Sequence, residues 1–174
     1  MSIGDFSDYL HRWLELVVIP FQNFKQVWLG IVPLYVSLFL GELYKSKVSF
    51  GHAVGNGFMM LWTGLNWAMH LSNLGPFSYL GGAQKQHMAT AWTVTAAAVA
   101  LGAFTIVLGL RKKDKGLVSV LGHSRFSLYF LILFYPMQTG LVRWNWPSVA
   151  AVLVFVLPCW FVLYLMGRVL TRIL

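Results

Sequence analysis

Along the chain, apolar residues gather into long blocks separated by short polar links. The blocks fall at about 27–44, 51–72, 88–110, 118–141 and 147–168. Each is close to the ~20 residues that carry a helix across a hydrocarbon core about 30 Å thick. Only helices and closed barrels satisfy their own backbone in lipid, and the alternation of a barrel strand is absent. The pattern predicts an all-α fold: a polytopic integral membrane protein of five transmembrane helices, with 1–174 as a single membrane domain.

The chain ahead of the first block has a different pattern. Phe6, Leu10, Trp13, Leu14 and Val17 fall on one helical face and Asp8, Arg12 and Glu15 on another, with Pro20 as a stop. This predicts an interfacial amphipathic helix over 5–24. The competing possibility, a half-span, suffers from length, since residues 10–24 would rise only about 22 Å. Asp5 and Asp8 stand where a secretory leader is basic, and no small-residue cleavage site follows, so the segment is expected on the mature protein.

The second block, "GHAVGNGFMMLWTGLNWAMHL", is apolar yet carries His52, Asn56, Thr63, Asn66 and His70. With Met59 included, the steps are four, three, four, three, four, which is one face of one helix. From His52 to His70 that stripe climbs roughly 27 Å. The third block carries a matching face of small residues, Ala91, Thr95, Ala98, Gly102, Thr105 and Gly109, at the same steps. Such a face lets two helices approach closely, so spans two and three are expected to pack along these seams. Asn and Thr would then bond across helices, contributing about 0.6 kcal/mol each.

Ionisable groups in or beside a span are costly unless paired, hydrated or functional. Glu42, His52, His123 and Arg125 are expected near one membrane surface, and His70, His87 and Gln138 near the other. With Asn56, Thr63 and Asn66 these residues, His87 apart, form the candidate lining of a solute, ion or proton pathway. No cofactor is required by the sequence. A b-type haem is the alternative, with His52 paired to His123, or His70 to His87, as axial ligands. Pro33, Pro136 and Pro158 inside spans one, four and five permit kinks.

Composition narrows the classes. The chain is 58% hydrophobic and 10% charged, with a mean hydropathy of +0.68; soluble domains hold about a quarter charged residues. The formal charge of +8 would suit nucleic acid, but the bases lie in links between apolar blocks, so none is expected as a partner. Alternating spans put nine basic residues on one side, including the run "RKKDK", against Arg12, Lys25, Lys85 and Arg143 on the other. The positive-inside rule then predicts a plasma or inner-membrane protein with its N-terminus outside and its C-terminus cytoplasmic.

Catalytic patterns are missing. "GHS" at 122–124 lacks the spacing of a nucleophile elbow, H-E-x-x-H is absent, and the single Cys159 has no adjacent His. No metal site is expected, and an enzyme is the weaker expectation. The function predicted is that of a membrane-complex subunit or a pathway-forming protein, with a haem-binding electron-transfer subunit or a pure scaffold as alternatives. Its partners are expected to be the lipid bilayer and either further copies of itself or other membrane subunits.

Overall fold

The computed structural model describes residues 3–43, 50–73, 87–112 and 125–173, with side chains for 6–39, 50–72, 87–112, 127–159 and 161–162. These form six helices and, among the described residues, no strand: α1 Ile3–Gln22, α2 Phe24–Leu43, α3 Phe50–Asn73, α4 Met88–Arg111, α5 Arg125–Gln138 and α6 Trp146–Ile173. Helices α2 to α6 lie over the five apolar blocks. By length and apolarity, α4 is the one helix among the described residues clearly able to cross a membrane; 24–39, 127–138 and 146–159 are shorter apolar stretches.

Local chemistry sets the helix ends. Asn23 alone separates α1 from α2, its N–H donating to Ile19 O at 3.1 Å and its side-chain amide to the same oxygen. Lys112, at φ 51°, closes α4 with a left-handed residue. The apolar block 118–141 runs past the end of α5, because Thr139 and Gly140 turn the chain at Gln138. Thr139 N–H donates to Tyr135 O at 3.0 Å, and Gly140 takes φ 77°, which costs a glycine no strain. Asn145 then opens α6 as a cap, its side-chain oxygen accepting from Ser148 N–H at 2.8 Å.

Helix α5 is the centre of the bundle. Residues 128, 129 and 131–133 and the run 135–139 are all buried, and Ser127, Phe130 and Phe134 form a half-buried strip, so most of the helix is covered, as an apolar helix without a polar face requires. One flank, with Leu128, Leu131, Ile132 and Tyr135, joins Val27, Ile31 and Leu34 of α2 and Met60 and Trp67 of α3. The opposite flank, with Tyr129, Leu133 and Met137, meets Leu16 of α1 and Val152 of α6. Two cores thus share one helix.

Helices α3 and α4 make the most extensive contact in the fold. The residues α4 buries are Ala91, Thr95, Ala98, Gly102, Thr105 and Gly109. The backbones nearly touch: a Cβ at Gly57 would lie 2.7 Å from Gly102 O, and one at Gly102 would lie 2.6 Å from Leu61 N. The opposite face of α4 is bare. Leu101, Phe104, Val107 and Leu110 are exposed, and only 28% of its apolar stretch is buried.

Helix α1 is amphipathic, and α6 covers part of its apolar face. Leu16 is buried, and Phe6 and Trp13 both meet Phe155 of α6 in tilted ring contacts, at 5.5 and 5.6 Å between centroids, while Leu10 and Leu14 stay exposed. Asp8, His11 and Glu15 stay exposed on the far face.

Candidate functional site

Three side chains of α5 hydrogen-bond it to α1, α3, α4 and α6, and one of them also packs on α2. Tyr129 Oη accepts from Trp13 Nε1 of α1 at 3.2 Å and donates to Val152 O of α6 at 2.9 Å. Tyr135 Oη donates to Asn66 Oδ1 of α3 and lies 3.4 Å from Val27 O of α2. One hydroxyl proton serves one acceptor, and the Asn66 contact is the shorter. Gln138 Nε2 donates to Ala91 O of α4 at 3.3 Å.

Packing makes these bonds possible. Tyr135 lies against Gly30 of α2, where any Cβ would overlap the phenol. Its ring also meets Trp67, at 6.3 Å between centroids. Both features follow from residue size: a glycine clears the place and an indole closes its side.

Helices α3, α4 and α5 each hold buried polar atoms with no protein partner among the described residues. They are Thr63 Oγ1 and Trp67 Nε1 of α3, Thr95 Oγ1 of α4 and Gln138 Oε1 of α5. A hydrophobic setting makes an unmet hydroxyl or amide oxygen expensive, so each is a place where water or a polar solute would bind favourably. The buried polar side chains described are Asn56, Thr63, Asn66, Thr95, Thr105, Gln138, Thr139 and Ser148, all of them neutral.

The stripe expected on the second span divides. Asn56, Thr63 and Asn66 are buried, Met59 and His70 are half-buried, and His52 is exposed at the first turn of α3. His87, half-buried, stands at the N-cap of α4. Gln138, 0% exposed, belongs with Asn66 and not with a surface layer. His123 lies outside the described residues, as do the side chains of Glu42 and Arg125. For the haem alternative, α3 and α4 run backbone to backbone over Gly57 and Gly102, so a porphyrin between them would have to sit at the end that holds His70 and His87. Among the described residues, no group of three His, Cys, Asp or Glu could hold a metal ion.

Tyr129, Tyr135, Trp13 and Trp67 are absent from the sequence-based site. Their signal was present but weak: two tyrosines in "SLYFLILFYPMQ" are hydroxyls in an otherwise apolar run, and such hydroxyls seek partners when buried.

Comparison with known protein families, with characterised proteins and with solved structures finds no match.

Proposed function

We propose that this chain is a multi-pass membrane subunit with a structural role, in which helices α2 to α6 cross the bilayer and α5 holds them in register. The observation that carries the role is that the buried polar groups at the centre, among the described residues, are neutral and that three side chains of α5 bond it to α1, α3, α4 and α6. Among the described residues such a centre holds no carboxylate, histidine or cysteine, and it fixes geometry. Support for the membrane comes from α4, an apolar helix of 24 residues that leaves most of its surface outside the core. A soluble protein would bury that face. The basic run after α4 supports a cytoplasmic location for that end and an N-terminus outside. The exposed apolar faces of α4 and α6 meet lipid, further copies of the chain, or other membrane subunits.

Extraction in a mild detergent followed by identification of what co-purifies tests this role. A stable complex with a second membrane protein or with itself is the expected result. A monomer that drives solute flux alone would sink it.

A pathway is the second reading, and one observation favours it. Thr63, Trp67, Thr95 and Gln138 leave buried polar atoms unmet on α3, α4 and α5, where water or a small polar solute would supply the missing bonds. In proteoliposomes, pH-dependent flux that disappears in His52→Leu and His70→Leu while the protein stays folded would favour this reading over the first.

A further inference from the structure

The bare face of α4 ends in charge. Leu101, Phe104 and Val107 are exposed, Leu110 is 66% exposed, and Arg111 and Lys112 follow them, both exposed. Ala100, Phe104, Val107 and Arg111 stand at steps of four, three and four, so Arg111 closes the same stripe. Lys112, at φ 51°, then turns the chain out of the helix. From Leu101 to Arg111 the helix rises about 15 Å, half of a hydrocarbon core about 30 Å thick. An apolar stripe of that length with cations at its end matches one leaflet, tail and headgroup.

Among the described residues, no carboxylate lies on a helix packed against this end of α4. Helix α3, where Phe50 O would stand 3.0 Å from a Cβ at Gly109, holds no Asp or Glu. The carboxylates with described side chains, Asp8 and Glu15, belong to α1, which packs on α2, α5 and α6. The sequence continues with Lys113 and Lys115 against Asp114, so its local balance stays positive. An anion from the surroundings suits such an end, and phosphate is what a bilayer offers beside its hydrocarbon. A second copy does not suit it: a twofold axis along the membrane normal would bring the same cations together, like charge against like.

We propose that the C-terminal end of α4 binds one anionic glycerophospholipid, with its phosphate on Arg111 and Lys112 and one acyl chain along Phe104 and Val107. The site rests on the membrane reading and deepens it, since it names the lipid that this part of the α4 surface selects.

The test titrates the full chain, purified in mild detergent, with phosphatidylglycerol and with phosphatidylcholine of the same tails, and counts bound lipid by native mass spectrometry. Both lipids carry phosphate, but choline brings its own cation. Phosphatidylglycerol should bind saturably and more tightly. Arg111→Gln and Lys112→Asn, the latter at ease with a left-handed backbone, should each weaken it about fivefold and leave phosphatidylcholine binding unchanged. Lys25→Gln and Arg143→Gln, at exposed cations of α2 and of the α5–α6 link, should leave both lipids unaffected. Phosphatidylglycerol with a mid-chain diazirine should label Phe104 and Val107. Equal affinity for the two lipids, or a preference that survives in the Arg111→Gln, Lys112→Asn double variant, would overturn the site. So would a second copy or another subunit that occupies this face and shields Phe104 from the probe. Alkaline carbonate extraction from phosphatidylcholine vesicles tests the membrane reading separately: retention without a headgroup preference ends the site alone, and release ends both.

Discussion

Trp62 of α3 donates its indole N–H to the carbonyl oxygen of Leu29 of α2, at 3.2 Å. Leu29 stands four residues before Pro33, so its carbonyl is the one that a residue with an N–H at position 33 would have bonded. A proline inside a helix thereby creates an acceptor, and the neighbouring helix uses it. The kink-permitting residue and an interhelical contact are two parts of one arrangement.

From this pair follows a coupling. Trp62→Phe should lower stability by about 0.5–1.5 kcal/mol. In a Pro33→Ala background, where the helix can bond its own carbonyl, the same change should cost measurably less. Equilibrium unfolding of the four proteins in a double-mutant cycle checks this; equal costs in both backgrounds would separate Trp62 from Pro33.

Two glycines two residues apart should behave oppositely. A Cβ at Gly57 meets the backbone of α4, whereas one at Gly55 meets nothing within 4 Å. Gly57→Leu is expected to destabilise by about 1–3 kcal/mol through overpacking, and Gly55→Leu to be tolerated. Thermal unfolding of both purified variants measures the contrast.

Tyr135→Phe removes the donor to Asn66 and leaves that amide oxygen buried. The expected loss is about 1–3 kcal/mol. Replacing both partners, as Tyr135→Phe with Asn66→Leu, should cost less than the sum of the single changes, because no polar atom of the pair is then stranded. Additive losses would mean the two side chains act separately.

Tyr129→Phe should loosen two helices and spare the others. The hydroxyl accepts from Trp13 Nε1 and donates to Val152 O, so its loss weakens the hold of α5 on α1 and α6 while the α3–α4 seam is untouched. Hydrogen exchange followed by mass spectrometry should quicken at amides of α1 and around Val152 and stay unchanged at Thr95 to Thr105.

The helix-packing seam was legible in the sequence because both of its faces are periodic. Small residues at steps of four and three on α4 have few uses other than close approach, and polar residues at matching steps on α3 fall on one face. The hub was not legible, since Tyr129 and Tyr135 lie in an apolar run whose period marks no single face. Most of α5 is inward, and a pattern that is apolar nearly all round says that a helix is buried without naming its neighbours. His52 and Gln138 illustrate the same limit at the ends of apolar blocks. Distance along the chain sets approximate depth, but whether an end is capped by another helix decides burial, and Gln138 is covered while His52 is not.

The position of α5 near the end of the chain has a consequence for how the bundle is made. Domains and helices emerge from synthesis N-terminal part first. The α3–α4 pair is complete in itself and needs only a local hairpin, so it can close before the rest exists. Asn66 and the Trp13 indole, by contrast, have partners that lie 69 and 116 residues further along. Until α5 is translated, both polar groups must find other partners, and the arrival of that one short helix joins the four helices made before it into a single object.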